Sequence, residues 1–337
     1  MLRPFRLLPP LLLLLFFALP TLRAQVPSAD LALREGRVED AAGILRSWLT
    51  QHPSDASAHL LLCRAFYAEE KADPAISECQ AAAANAPSSS EAQLWLGRAY
   101  GMKASSASPL SAFSLARKVR DAFERSVRLD PTNLSASGDL GEFYVAAPAI
   151  VGGGSGKARR LAAMLHSFNQ PPAEAQSHRI LALLAEANGD QTTAESEFRQ
   201  AADASLRQRW NSAAWIDLGA FYARHHQPDQ ALSAVRSGVA ADILRGPTLV
   251  DAASVLTEAS RVPDLARDLL REYLASPARS DAAPAFKVHL QLGDLLTQSG
   301  DLASARREYA AALTLAPNFP PARNVASVPS KQANQLR

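Results

Sequence analysis

Small and apolar residues recur along this chain at a long fixed interval, and the interval has the length of a helical hairpin. Pro53 and Pro87 stand 34 residues apart, as do Ala41 and Ala75. Gly97, Gly141, Gly219 and Gly293 hold one position in the first half of their intervals. Gly inside a helix costs about 1 kcal/mol relative to Ala, so its recurrence marks a place where two helices come close. A small residue follows twelve positions later in the unbroken intervals: Gly219 with Ala231, Gly293 with Ala305, Ala182 with Ala194, Ala29 with Ala41. Gly36, Gly189 and Gly300 end first halves, where a left-handed cap suits Gly. Pro53, Pro87, Pro131, Pro277 and Pro317 fall just past second halves, which Pro cannot continue. Leu45, Phe123, Phe198 and Tyr309 are expected to fill the space between stacked hairpins, each contributing about 1.5 to 3 kcal/mol when fully buried.

Trp215, Leu218, Gly219 and Tyr222 reproduce the W-x2-L-G-x2-Y signature of a first helix, with Ala231 at the small position of the second. Leu292-Gly293, Gly300-Asp301, Ala305, Tyr309, Ala312 and Pro317 match the rest of the pattern. In these residues and in its period the chain resembles the tetratricopeptide-repeat (TPR) family. The resemblance implies an all-α fold, a right-handed α-α superhelix of about eight helix-turn-helix units. They start near residues 22, 56, 90, 134, 175, 212, 246 and 286. The solenoid is expected over residues 25–319 and a flexible tail over 320–337. Units five and seven are degenerate: the former lacks its terminal Pro, and the latter has Leu265 in place of the usual Ala. Units three and four are lengthened, which predicts inserted loops near 104–117 and 147–157. Such loops emerge on one side of a solenoid, as interaction sites or as tolerated lengthening. In this combination the chain resembles exported bacterial TPR proteins.

Hydrophobic residues make up 47% of the chain and aromatics 7%, a composition rich in helix formers. Residues 1–24 are expected to form a cleavable signal peptide. Arg3 and Arg6 supply a basic start, Leu7 to Leu19 an apolar run broken by Pro9 and Pro10, and Ala24 a small residue at the cut. The run is shorter than the roughly 20 residues needed to span a bilayer. Without this leader 32 Lys and Arg face 33 Asp and Glu. The basic balance therefore belongs to the leader, and no concentrated basic face suggests nucleic acid as a partner. The expected location is the periplasm or the exterior, with no membrane association after cleavage.

The sequence offers little catalytic chemistry. Gly152-Gly153-Gly154-Ser155-Gly156-Lys157 looks like a phosphate loop, but Val151 stands where that loop needs Gly and Ala158 where it needs Ser or Thr. His59, His178 and His289 share the fourth position of their units, where the family packs a large side chain. No hydrolase or metalloprotease motif occurs, so no catalytic residue, metal or cofactor is expected. In the repeat register Cys63 and Cys79 face each other across one hairpin. They either form a disulfide in an oxidising compartment or pack as two small buried residues.

The resemblance also implies that first helices line a concave groove. By register this places Leu60, Arg64, Tyr67, Leu94, Arg98, Met102, Glu142 and Arg224 on the groove. Arg64 and Arg98 share position nine of neighbouring units, either as a grip for a carboxylate or as two solvated arginines. The expected function is a non-enzymatic scaffold binding a protein or peptide. The alternative is a small-ligand or transport-accessory protein, which predicts a closed apolar pocket. An enzyme would require converging titratable groups.

Overall fold

The computed structural model describes residues 25–206 and 212–326; the expected leader lies outside them. The described residues form seventeen α-helices and one short 3-10 helix, with no strand among them. Helices α1 (Gln25–Arg34) and α2 (Val38–Gln51), α3 (Ala56–Ala68) and α4 (Ala72–Asn85), α5 (Ser90–Ser105) and α6 (Pro109–Leu129), and α7 (Leu134–Ala146) and α8 (Ser155–Ser167) make four hairpins. Four more follow: α9 (Pro171–Ala187) with α10 (Gln191–Leu206), α11 (Ala213–Arg224) with α12 (Pro228–Ala241), α13 (Thr248–Glu258) with α14 (Pro263–Ala275), and α15 (Ala285–Gln298) with α16 (Leu302–Leu315).

Local chemistry explains the breaks. After Pro53, Pro87 and Pro131 the chain reaches an N-cap two residues on, where Asp55, Ser89 and Asn133 accept backbone N–H groups of α3, α5 and α7. Each such cap stabilises its helix by about 1 kcal/mol. The turn inside a hairpin requires a left-handed residue, supplied by Gly36, Gly189 and Gly300. Glu70, His226 and Ser260 take the same conformation in units two, six and seven, although a side chain there costs roughly 1–2 kcal/mol.

Close approach inside two of the hairpins is made by rings, while Gly219 meets Val235 and the Ala231 carbonyl. A Cβ added at Gly97 would lie 2.4 Å from the Phe123 ring, and one at Gly293 would lie 2.3 Å from Tyr309. The bare backbone of the first helix thus receives an aromatic of the second, a closer fit than small residue against small residue. Three hairpins carry an additional polar clasp. Nδ1 of His59, His178 and His289 lies 2.6, 2.7 and 2.7 Å from a carboxylate oxygen of Glu78, Glu197 and Glu308, each nineteen residues on. Cys63 and Cys79, both fully buried, are joined as a disulfide across the second hairpin, with Cα atoms 5.3 Å apart.

The two insertions behave differently. The one expected as a loop near 104–117 is helical: α5 continues to Ser105, α6 begins at Pro109, and only Ser106–Ser108 separate them. Pro109 sits in the first turn, where its missing N–H breaks no helical bond, and α6 reaches 21 residues. The other is a folded loop. Gly154 N–H donates to the Tyr144 carbonyl at 2.7 Å, and Gly153 lies so close to Ala147 that a Cβ would meet its carbonyl oxygen at 1.8 Å.

First helices of successive units touch one another from α1 to α7, again from α7 to α9 and on through α11 to α13, whereas second helices pack mainly on the first helix of the next unit. This unequal spacing curves the array, with first helices inside. The curvature brings unit eight back against units one and two. Gly36 sits against Ala285, Asn318 donates to Glu39 at 2.6 and 2.7 Å, and Lys287 donates to Glu70 at 2.6 Å. Phe286, Ala312, Ala316 and Phe319 share one hydrophobic cluster with Leu33, Leu45 and Leu62. Of the tail expected over 320–337, residues 327–337 lie outside the described residues, and 320–326 form a helix, α17 (Pro320–Ala326), whose Ala322 is fully buried in that cluster. Packing of Ala322 on unit eight holds this segment to the fold.

Two measurements follow from this architecture. Under denaturing conditions neither cysteine should be alkylated until a reductant is added, which intact mass shows directly. Phe319 is 2% exposed, with its ring centroid 5.0 Å from that of Phe286. Phe319→Ala should therefore destabilise the protein by about 3–5 kcal/mol. Small-angle scattering should show a larger radius of gyration, because the closing contacts loosen.

Candidate functional site

The inner wall is a chain of ion pairs running from unit to unit. Arg64 on α3 makes a two-pronged contact with Asp281, 2.7 Å from Nε and 2.6 Å from Nη2, and lies 3.5 Å from Glu91 on α5. Arg98 on α5 meets Asp139 on α7 at 2.6 Å. Arg179 on α9 bridges Glu142 on α7 and Asp217 on α11, the latter at 2.9 Å. Arg224 holds Glu186 at 3.0 and 2.9 Å, and Glu186 also meets the His225 ring at 3.0 Å.

These contacts answer the expectations for the groove residue by residue. Arg64 and Arg98 do converge: their guanidinium carbons lie 5.3 and 4.8 Å from the centroid of the Trp95 ring, the attractive geometry of a cation over an aromatic face. Yet each is already matched by a carboxylate of this chain, so they are neither solvated nor an empty grip. Glu142 and Arg224 are likewise paired. Tyr67 packs edge-on against Trp95 at 5.4 Å, and Met102 packs against the neighbouring core. Leu60 and Leu94 are turned largely inward, though Leu94 still lines the cleft beside Trp95. Leu60 turns toward Ala82, Ala83 and Ala92, and Leu94, 4% exposed, belongs to the core of units three and four. Burial of apolar surface between stacked hairpins turns both inward, leaving Leu94 only a small face toward the wall.

An open cleft of about 570 Å³ lies along α3, α5 and α7. Arg64, Glu91, Trp95 and Arg98 form one side, and Asp130, Asn133 and Ser135 the other. Beneath it the Ser90, Ser126 and Asn133 side chains are hydrogen-bonded to one another, which fixes the starts of α5 and α7. The position of Trp95 was not anticipated from sequence, although its place in the chain between Leu94 and Arg98 was visible.

Electrostatics differ along the wall. Burial works against the Arg179 charge, but Asp217 and Glu142 outweigh it and raise its pKa. Burial raises the Asp217 carboxyl, with Arg179 opposing. Asp217 is half-buried and Asp251 keeps an exposed face, so crowding by protein atoms around them, and not full enclosure, weakens their hydration. Asp251 on α13 makes no ion pair among the described residues, and burial together with the nearby Asp217 charge pushes it up to about 6. The glycine run at 152–156 makes no phosphate cradle: Lys157 donates to the Gly152 carbonyl at 2.9 Å and pins the loop. Among the described residues no group of three or more potential ligands is placed to hold a metal.

With this geometry in view, comparison with known proteins places the repeats. Two family profiles, both described as tetratricopeptide repeat, match residues 32–99 and 286–319. The chain carries tetratricopeptide repeats, hairpins that generally mediate protein–protein interactions. Similar solved structures include the APC/C hetero-tetramer Cut9-Hcn1, at 14% identity and a TM-score of 0.39, covering 94% of this chain and 57% of that one. A thermophilic TPR protein of Thermus thermophilus shows 14% identity and a TM-score of 0.43, covering 75% of this chain and 99% of that one. The MamA protein shows 19% identity and a TM-score of 0.43, covering 56% of this chain and 93% of that one. The chain thus spans little more than half the length of the first of these. Among curated proteins, none matches it in sequence.

The raised carboxyl gives a signed prediction. Asp251 binds its proton more tightly in the fold than at the ordinary value of 3.8. The folded state therefore loses stability as pH rises from about 4 to about 6. Asp251→Asn should match or trail the wild type near pH 4 and gain on it steadily up to about pH 7, as read from denaturant midpoints. A constant difference across that range would refute the assignment.

Proposed function

We propose that this chain is a non-enzymatic scaffold that receives a protein or peptide segment on its inner wall, at the cleft beside Trp95. The carrying observation is the cleft itself: an open, mainly polar concavity with an aromatic face at its side and backbone held rigid beneath it. A peptide fits such a surface because its amides meet the serine and asparagine groups while an apolar side chain packs on the indole. The small-ligand reading asks for a closed apolar pocket, and the lining of this cleft speaks against it.

The same reading assigns the protein to the periplasm or the exterior. The leader pattern at residues 1–24 supports export, and a buried disulfide is at home in an oxidising compartment. Cell fractionation with N-terminal sequencing should find the protein in the envelope or medium, starting after Ala24.

A crosslinking pull-down from the native envelope tests the binding site. Trp95→Ala should lose the partners captured by wild type while circular dichroism and thermal midpoint show an intact solenoid. Arg224→Ala, at a distant inner-wall pair, should keep them. Retention of all partners by folded Trp95→Ala would remove the cleft from the proposal.

A further inference from the structure

The two lengthened units meet on the outer side of the solenoid. The short 3-10 helix at Ala149–Val151 packs against α6, where Arg120 Nη1 donates to the Val151 carbonyl at 3.1 Å. These two units carry the two most exposed large apolar side chains among the described residues, Leu110 at 87% in the first turn of α6 and Ile150 at 68% in the 3-10 helix, with Phe113 at 45% one turn after Leu110. On α6 the buried face is set by Leu115, Val119, Ala122 and Phe123. At 3.6 residues per turn, Leu110, Arg117 and Arg128 lie opposite that face, with Phe113 beside them. Arg128 also lines a groove of about 330 Å³ between α6 and α8, together with Arg160. Arg117, Arg128 and Arg160 are exposed and make no ion pair among the described residues. Residues 109–167 hold eight Lys and Arg against five acids, in a chain otherwise near balance.

We propose that this outer face docks peripherally on an anionic lipid surface. Three apolar side chains protrude from a helix start and a loop tip, too scattered to make a flat protein contact but suited to the headgroup boundary, where unpaired arginines meet lipid phosphates. No described helix is long and apolar enough to cross a membrane. Such docking goes beyond the expectation of a chain free of membranes, and it does not depend on the inner cleft.

The test uses the full chain with a fluorophore sensitive to polarity on Leu110→Cys, and the same label on Asp264→Cys as a remote control. Both proteins are mixed with vesicles of phosphatidylcholine alone or with about one third phosphatidylglycerol. The apolar, basic leader is common to every protein compared, so the differences between labelled positions and between variants report on the patch. Emission at position 110 should shift to the blue with the anionic vesicles only, and position 264 should stay silent. Replacing Arg117, Arg128 and Arg160 by Glu should weaken the response about tenfold or more, as should a half-molar rise in salt. In a separately labelled protein, Phe113→Ser with Ile150→Ser should lower it as well. An unchanged spectrum, an equal response on neutral vesicles, or insensitivity to the arginine changes would overturn the proposal. So would a blue shift produced without lipid, by polyglutamate or by self-association in light scattering, which would assign the face to an acidic protein or a second copy.

Discussion

Contact between successive first helices is the constraint on which this architecture rests. Small residues let the first helices of neighbouring units lie side by side, while each second helix wedges against the next unit's first helix. An array built this way must bend toward its first helices, and the bend repeats with every unit. Because the units are nearly alike, small rotations add in one direction and the eighth unit returns to the first two. Closure is thus a sum of local packing choices, sealed by Phe286, Phe319 and the contacts around Gly36.

Curvature then decides the electrostatics. Residues on the concave side are brought closer than they would be on a straight stack, so charges of neighbouring units pair. Arg64 and Asp281, 217 residues apart, meet only because the array closes. Such half-buried pairs add little net stability, since dehydrating both partners offsets much of their attraction. Their stronger effect is on geometry: any slip of one unit against the next would leave a poorly hydrated charge alone. The inner wall is therefore stiff in register, which suits a surface that presents a fixed cleft.

The period and the left-handed glycines are readable from sequence, because each is a local demand met by a particular residue type. Side chains that take a left-handed turn without Gly, as Glu70, His226 and Ser260 do, carry no such mark. The His and Glu clasps are present in the sequence as a nineteen-residue spacing repeated three times, but the family pattern points only to the histidines, as packing residues. The inner ion pairs were beyond reach for a physical reason: their partners are set by the accumulated bend. Register puts Leu60 and Leu94 on the groove; Leu94 does line the cleft, but a residue on the boundary of a helix face follows whichever neighbour offers more apolar contact, and both side chains pack mainly inward. Nothing in the length of the first insertion distinguishes a loop from extra helical turns; Pro109 at a first turn is the available sign.

Self-satisfied charge also limits what a partner can gain. A carboxylate approaching Arg64 or Arg98 competes with Asp281 or Asp139, which are already in place and dehydrated, so simple acid recognition on this wall yields little. The Trp95 ring is different, because two guanidiniums polarise its environment without consuming hydrogen-bonding capacity along the cleft. Affinity there would come from apolar contact with the indole and from amides meeting Ser135, Asn133 and neighbouring polar groups, with the ion pairs acting as fixed walls that reject ill-fitting charge. Selectivity of this kind rests on what the wall excludes as much as on what it attracts.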